Sequence, residues 1–174
     1  MKKIIIILLA VIISILIFRE QKETLIIPDS SIRLRVIPNS NSSVDQKMKL
    51  KVKNYLENNT IKVLSNSNNI EEARKQIKEN IPLIEKNIDT IFNQNDYNMK
   101  YNINYGYNYF PEKTYNNIRY KEGYYESIVI EIGEGKGDNW WCVLFPNLCL
   151  VDLNNKEDIE YESWVKETFI KYFK

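Results

Sequence analysis

The chain has 174 residues, enough for one domain with a single core but not for a second catalytic domain. Its 24 Lys and Arg against 23 Asp and Glu give a formal net charge of +1, which excludes the basic surface of a nucleic-acid-binding protein. It contains no His, which excludes His-based catalytic dyads and triads and imidazole zinc ligands.

The first residues have the pattern of an export segment. Lys2 and Lys3 precede an almost unbroken apolar run at residues 4–18, like the charged and hydrophobic regions of a signal peptide. At about 1.5 Å per residue the run is roughly 22 Å long, shorter than the ~30 Å hydrocarbon core of a bilayer. No small-residue cleavage site comes after it. A cleaved signal peptide and a retained membrane anchor therefore both stay open.

The positive-inside rule keeps the two lysines in the cytoplasm and places the residues after the apolar run on the other side of the membrane. The next stretch is polar and contains Pro28, as a linker does. We therefore expect a signal peptide or N-terminal membrane anchor at residues 1–18, a linker at residues 19–31, and a single extracytoplasmic domain at residues 32–174.

A strand and a helix are predicted at the start of the domain. Residues 32–37 alternate apolar and basic side chains, the pattern of a half-buried strand. Either Ser42 or Ser43 is a suitable N-cap for the next helix. The Asn pair at 58–59 weakens its end, so residues 61–64 either continue the helix or form a loop packed on the core. The apolar stripe of this helix consists of Val44, Met48, Val52, Tyr55 and Leu56.

The strongest helical pattern lies at residues 70–92, where apolar side chains recur at three and four residues. Pro82 falls inside this pattern and removes one backbone hydrogen bond, so we expect a kink there or two helices. A further helix is predicted at residues 159–172 because its apolar residues also form a stripe.

Three strands are predicted between these helices. From Tyr97 to Tyr109 the residues alternate with a period of two, which indicates a long strand with an aromatic face. Further strands are predicted at residues 124–132 and 140–145, joined by a hairpin turn at residues 133–137. The pattern predicts an α+β fold: a two-layer domain with a mostly antiparallel sheet and helices packed on it, preceded by the N-terminal export or anchor helix.

Residues 133–149 combine two Trp, both Cys and three alternate Gly. The glycines predict a turn with room for positive φ. A phosphate-binding loop is disfavoured, because the segment lacks the Gly-Lys-Ser/Thr ending and precedes a strand pattern. Trp140 and Trp141 are adjacent, so they are predicted to point to opposite faces of their strand. The one that leaves the core is either an anchor for a partner, beside Phe145 and Leu148, or buried beneath the C-terminal helix.

Cys142 and Cys149 are the two cysteines of the chain. Export removes them from the reducing cytosol, which favours a disulfide. On a straight strand their Cα atoms would be roughly 23 Å apart at ~3.3 Å per residue, so a bridge requires the chain to reverse near Pro146. A disulfide and buried free thiols both stay open. Two Cys without His leave a metal site short of ligands, and we expect no metal and no other cofactor.

Four carboxylates lie near this block, and two of them could act as acid and base in a hydrolase. Such residues ordinarily lie on a solvent-exposed face of a protein, and the sequence pattern contains no pair of buried acidic residues. We therefore do not predict catalysis. The four residues are Glu126, Glu131, Glu134 and Asp138.

Several stretches together carry a recognisable pattern. They are residues 33–42, Asp45 with Gln46, residues 49–52, residues 110–115, residues 123–126 and the block at residues 133–149. In this order they resemble the stage II sporulation protein R family, from about residue 32 to residue 152. Asn41 stands where the family usually carries Asp, and Lys121-Glu122 stands where it usually has Pro-Ala.

The resemblance implies a secreted signalling protein that is not an enzyme. It would be exported across the forespore membrane into the intermembrane space, with residues 4–18 meeting the membrane. There it would activate the membrane-bound aspartic protease of the mother-cell membrane, which processes the precursor of the early mother-cell sigma factor. The alternative is an extracytoplasmic envelope hydrolase or peptidoglycan-binding module that uses acidic residues. We expect the partner-binding surface to consist of Asn139, Trp140, Trp141, Phe145, Pro146 and Leu148.

Overall fold

The computed structural model describes residues 25–26, 30–64, 66–115 and 118–146. The predicted export segment and the predicted C-terminal helix lie outside these residues. Within the described ranges, no helix is both long enough and apolar enough to cross a membrane.

Most strands come after the helices along the described chain, which confirms the predicted α+β class. In chain order the elements are β1 (Leu25–Ile26), β2 (Ile32–Ile37), α1 (Ser43–Tyr55), a π-helical turn (Leu56–Ile61), α2 (Lys62–Leu64), α3 (Ile70–Asn93), β3 (Tyr101–Phe110), β4 (Lys113–Tyr115), β5 (Ile118–Tyr120), β6 (Gly123–Ile132) and β7 (Trp140–Phe145).

The main sheet has four strands in the order β3-β6-β2-β7. β3 and β6 are antiparallel, and so are β2 and β7, but β2 and β6 are parallel. The sheet is therefore mixed. Two of its three pairings are antiparallel, as the predicted mostly antiparallel sheet requires, but the last two predicted strands are not neighbours, because β2 lies between β6 and β7. A central position suits β2, since every residue except Arg35 is buried, and the prediction that this strand is only half-buried is wrong for the same reason.

A second, smaller sheet has three strands in the order β1-β5-β4. β4 and β5 are antiparallel, and β1 pairs with β5 in parallel. Strands of three residues are too short to show a hydrophobic period, so the sequence did not predict β4 and β5.

Helix α1 begins after Ser42, whose Oγ accepts a hydrogen bond from the Asp45 backbone N–H at 3.2 Å. This is one of the two N-caps that the sequence predicted. Beyond the other end of α1, the side chains of Asn58 and Asn59 donate to backbone carbonyls four residues earlier, both at 2.9 Å. Such bonds compete with the regular helical ladder and accompany the π-helical turn. Residues 61–64 therefore continue the helical path and do not form a loop.

Helix α3 runs without a break from Ile70 to Asn93 and includes Pro82, so the two-helix alternative is wrong. Asn69 caps the helix, since its Oδ1 accepts a hydrogen bond from the Glu72 N–H at 2.9 Å. Pro82 is exposed. The loss of a backbone hydrogen bond costs least at such a position, because solvent replaces the missing partner.

The main hydrophobic core lies between the helices and one face of the four-stranded sheet. β2 contributes Ile32, Leu34 and Val36, each at most 1% exposed, and full burial of one such side chain contributes about 1.5–3 kcal/mol to folding. Val44, predicted on the buried stripe of α1, is instead 60% exposed. The helices and the other strands contribute Met48, Val52, Leu56, Ile77, Ile84, Ile88, Ile128, Ile130 and Leu144.

β3 begins at Tyr101, not at Tyr97 as predicted. The Tyr97 side chain turns inward instead, and its hydroxyl donates to Asp45 Oδ1 at 2.6 Å. The predicted aromatic face of β3 lies against α3, where the Tyr101 hydroxyl donates to Asp89 Oδ1 at 2.8 Å. Tyr107, farther along the strand, is 71% exposed.

Candidate functional site: the motif loops and the tryptophan strand

Two loops meet at the end of β2. The first, residues 38–42, comes directly after β2, and the second, residues 133–139, leads from β6 to β7. We call them the motif loops. The Gly137 N–H donates to the Pro38 carbonyl at 3.1 Å, so the second loop crosses the end of β2. This crossing carries β7 to the far side of β2, and the predicted hairpin between β6 and β7 is wrong for that reason.

Side chains of the first motif loop also hold the second. Asn39 Oδ1 accepts a hydrogen bond from the Glu134 N–H at 3.0 Å, and Asn41 Oδ1 accepts one from the Asp138 N–H at 2.6 Å. The Lys136 N–H donates to the Asn39 carbonyl at 3.1 Å. Asn41, where the family usually has Asp, thus still supplies a side-chain oxygen to the second loop.

The glycine triplet allows the loops to approach this closely. Gly133 (φ 59°) and Gly135 (φ 61°) have positive φ, which confirms the predicted room for this conformation at two of the three glycines. A Cβ on Gly133 would lie 2.3 Å from Asn39 Oδ1, and one on Gly137 would lie 2.3 Å from the Ser40 carbonyl oxygen. Gly133 and Gly137 therefore serve close packing of one motif loop on the other, whereas a Cβ on Gly135 would meet the Glu131 side chain of β6.

Asp45 ties the first motif loop to the helical layer. Its carboxylate accepts hydrogen bonds from the Ser40 hydroxyl at 2.5 Å, the Tyr97 hydroxyl at 2.6 Å and Asn39 Nδ2 at 3.0 Å. These bonds, with that from Ser40 the largest contribution, outweigh the effect of burial and lower the pKa of Asp45 to about 2. The ionised carboxylate therefore positions the loop at neutral pH.

Lys49 has the same role for the second motif loop. It is 9% exposed, and its Nζ donates to the Asp138 carbonyl at 2.9 Å and to Gln46 Oε1 at 2.6 Å. Burial lowers the pKa of Lys49, and the charge of Asp138 partly opposes that effect. A buried anion thus holds one motif loop, and a buried cation holds the other.

The second motif loop ends at Asn139 and leads directly to Trp140 and Trp141. The two Trp point to opposite faces of the sheet, as predicted: Trp140 packs on the main core and Trp141 on a smaller cluster. All three residues are half-buried. The Lys53 Nζ lies 5.5 Å from the Trp140 ring centroid, within cation–π range. Each Trp therefore combines a packed side with a part that is open to solvent.

The next two predicted contact residues lie deeper. Phe145 is 2% exposed and belongs to the main core, and Pro146 is buried. The pairing of β2 with β7 shifts register between Ile32 and Arg33, which marks a bulge. This bulge turns Phe145 from the face of Trp141 to the core face. Phe145 and Pro146 therefore support β7 from within.

Cys142 takes part in a disulfide, so the free-thiol alternative does not hold for this residue. Its predicted partner, Cys149, lies outside the described residues. The pairing with Cys149 therefore stays a prediction, as does the role of Leu148, which also lies outside them.

The four carboxylates near the block form no acid–base pair in the described part of the chain. Glu126 accepts hydrogen bonds from Arg74 Nε at 3.0 Å and Nη2 at 2.8 Å. Burial acts to raise the pKa of Glu126, but the bonds from Arg74 and Tyr105 outweigh it and lower that pKa. The described residues also contain no group of three or more Cys, Asp or Glu placed to hold a metal ion. The exposed carboxylates are Glu131, Glu134 and Asp138.

The sequence interpretation missed a cationic group on the Trp141 face of the sheet. Arg33 is 1% exposed and lies among aromatic rings. The Arg35 Cζ lies 4.7 Å from the Phe110 ring centroid, and the Lys113 Nζ lies 5.0 Å from that of Trp141. The alternation of Arg with apolar residues in β2 was a sequence signal for this cationic group. It places both Arg side chains on one face of the sheet, and the neighbouring strands carry aromatic residues that can cover that face.

The fold and the motif loops define the class of protein, a small α+β domain with a preformed loop surface beside its tryptophan strand. The family model described as stage II sporulation protein R (spore_II_R) matches residues 28–155, and the chain belongs to this family. The curated Stage II sporulation protein R of Bacillus subtilis (strain 168) is 34% identical over 142 residues, which are 82% of this chain and 63% of that relative. The chain thus spans less than two thirds of the relative's length. No solved structure matches the chain.

Proposed function

We propose that the protein is an exported sporulation signal that activates a membrane-bound aspartic protease of the mother-cell membrane. That protease would process the precursor of the early mother-cell sigma factor. Family membership supports the sporulation role. On this proposal the protein acts in the space between forespore and mother cell, carries out no chemical step of its own and works through a protein contact.

The observation that carries the proposal is the set of hydrogen bonds by which the motif loops hold each other directly before Trp140. Hydrogen bonds between the loops, together with buried Asp45 and Lys49, hold this region in one conformation. A surface that is already ordered loses less conformational entropy when it binds. Trp is also a residue type in which interface energy concentrates. The motif loops and β7 therefore form the contact surface in this proposal.

Activation would result from a preference for one state of the protease. A bound partner shifts a two-state equilibrium only by the difference between its affinities for the two states. A hundredfold preference for the active dimer, about 2.7 kcal/mol, would convert a population of about 1% into about half. The protein therefore needs a specific contact and no catalytic group.

The test is precursor processing in a non-sporulating cell that expresses the full chain, the protease and the precursor. We expect Trp140→Ala to reduce processing at least tenfold, because a central Trp contact is worth about 2 kcal/mol or more, that is, about thirtyfold in affinity. Tyr107→Ala is the matched control, since Tyr107 is a 71% exposed aromatic residue on another strand. Normal processing by both Trp140→Ala and Trp141→Ala, with folded and exported protein, would contradict the contact surface.

The same assay separates the alternatives. Deletion of residues 1–18 should abolish processing if the protein must be exported. Glu131→Gln and Glu134→Gln should leave processing intact, whereas an envelope hydrolase that uses these acids would lose nearly all activity. A peptidoglycan-binding module would sediment with isolated peptidoglycan.

A further inference from the structure

The face of the sheet that carries Trp141 holds two nitrogen donors without a hydrogen-bond partner in the described part of the chain. Within the described residues, Arg35 Nε and Trp141 Nε1 are buried and have no hydrogen-bond partner. Buried polar groups are paired in the great majority of cases, so two unpaired donors close together require an explanation. Arg35 and Trp141 are directly opposite each other in the antiparallel pairing of β2 with β7, which puts their side chains on the same face.

One aromatic ring positions both donors. The Phe110 ring centroid lies 4.7 Å from the Arg35 Cζ and 5.2 Å from the Trp141 ring centroid. Phe110 itself is fully buried, so it acts as a fixed support for the guanidinium and the indole. Both residues as a whole are half-buried, so their side chains reach the surface although these two nitrogens are covered. A ligand therefore reaches the two nitrogens only when the guanidinium and the indole turn outward.

A second cation completes the site. The Lys113 Nζ lies 5.0 Å from the Trp141 ring centroid, and Lys113 is exposed. The carboxylate that acts on Arg35 through its charge is the exposed Glu131, and the two form no ion pair in the described part of the chain. Burial lowers the pKa of the Arg35 guanidinium, and Glu131 offsets that effect only in part. The site thus holds two cations, Arg35 and Lys113, and the charge of one exposed carboxylate, Glu131, acts on Arg35.

We propose that Arg35, Lys113 and the Trp141 indole N–H form a carboxylate-binding site that takes an acidic side chain of the partner protein. An Arg guanidinium is a planar, charged donor that matches a carboxylate, and an indole N–H can add a further bond to it. Lys113 contributes charge. The identity of the partner rests on the proposed function, whereas the carboxylate chemistry rests on the site alone.

The direct test is a titration of the full chain in detergent micelles with a hexaglutamate peptide. The three Trp indole N–H groups give separate NMR signals, and that of Trp141 is identified by its loss in Trp141→Phe. We expect the Trp141 signal to shift saturably with hexaglutamate and not with hexaglutamine. Arg35→Gln and Lys113→Gln should each weaken binding about tenfold, the usual effect of losing a charged hydrogen bond or a close charge.

Controls separate binding from folding. Arg35→Lys keeps the charge but loses the fork of donors, so its affinity should fall between those of the wild type and Arg35→Gln. Lys113→Gln changes an exposed residue and should leave the fold intact. Lys75→Gln is the matched control, because this exposed lysine lies on α3, on the other side of the sheet. An unshifted Trp141 signal, an equal response to hexaglutamine, or wild-type affinity in both Gln variants would overturn the site.

The processing assay then distinguishes this inference from the proposed function. Reduced processing by Arg35→Gln and Lys113→Gln would support a site for the partner's carboxylate. Normal processing by both variants would overturn the assignment to the partner while leaving the proposed function intact. If wild-type protein gives no processing at all, the proposed function fails and the titration decides the site. If the protein sediments with peptidoglycan in a way that depends on Arg35, and hexaglutamate gives no response, then the carboxylate that binds this site belongs to the cell wall and not to a protein.

Discussion

The packing of the motif loops predicts that Gly137→Ala destabilises the protein by about 2–5 kcal/mol. The new Cβ would lie 2.3 Å from the Ser40 carbonyl oxygen and 2.6 Å from Pro38 Cγ. Since one of these atoms belongs to the backbone, the loop has to move, and such overpacking costs about 1–3 kcal/mol. The movement also strains the bonds from the Gly137 N–H to Pro38 and from the Asp138 N–H to Asn41, each worth about 0.5–1.5 kcal/mol.

Gly106→Ala is the matched control for this substitution. Its Cβ would meet only Asn104 Oδ1, at an ordinary 3.7 Å, so the change in stability should stay within about 1 kcal/mol. The measurement is a urea or thermal unfolding curve of the full chain in detergent, monitored by Trp fluorescence. For a domain of this size the predicted loss for Gly137→Ala lowers Tm by about 5–15 °C. Equal unfolding curves for Gly137→Ala and the wild type, or equal losses in both variants, would refute the packing argument.

Four further predictions concern single sites. The lowered pKa of Asp45 means that its contribution to stability is fully present above about pH 4 and is lost as the pH falls towards 2; the urea midpoint should therefore fall less steeply over this range in Asp45→Asn than in the wild type. Glu126→Gln should cost about 1–3 kcal/mol of unfolding free energy, and a double-mutant cycle with Arg74→Gln should be less than additive, because each variant breaks the same ion pair. Pro82→Ala should stabilise the protein by about 1–3 kcal/mol in the same unfolding assay, because it restores a backbone hydrogen bond within α3; a loss of stability would contradict a continuous helix. Arg35→Met should change the unfolding free energy by less than about 1 kcal/mol, yet abolish the shift of the Trp141 signal with hexaglutamate; a large loss of stability would show that Arg35 serves the fold.

The local elements could be predicted because each depends on neighbouring residues. The hydrophobic period of α3 extends over 24 residues. The N-cap of α1 needs only the Ser42 hydroxyl, which accepts a hydrogen bond from the backbone N–H three residues later. The strand order could not be predicted in this way. It depends on bonds such as that from the Glu134 N–H to Asn39, which joins residues 95 positions apart. A local pattern contains no information about such a pair, and the shortest connection, a hairpin, was therefore the natural but wrong expectation.

In the candidate site, too, the local features could be predicted from the sequence and the long-range contacts could not. The sequence located the Trp pair and its opposite orientations, because a strand alternates its side chains whatever it pairs with. It did not predict that Phe145 is buried, since a bulge opposite Ile32 and Arg33 interrupts that alternation. It also missed Arg35 and Lys113 as neighbours of Trp141. Their proximity depends on the central position of β2 and on the turn after β3, and both are tertiary features.

The motif loops and the Arg35 site differ in what they contribute to stability. Asp45 is surrounded by donors, so its burial is compensated by three side-chain hydrogen bonds. Arg35 gains a cation–π contact with Phe110, worth about 0.5–2 kcal/mol, but its buried Nε has no partner in the described residues, which costs about 1–3 kcal/mol. The two terms nearly cancel. Stability therefore explains why the motif-loop residues are present, but it does not explain a guanidinium at position 35. A carboxylate of a bound partner would supply the missing hydrogen bonds. Part of the binding energy would then come from removing the cost of the unpaired donor, which the free protein already carries.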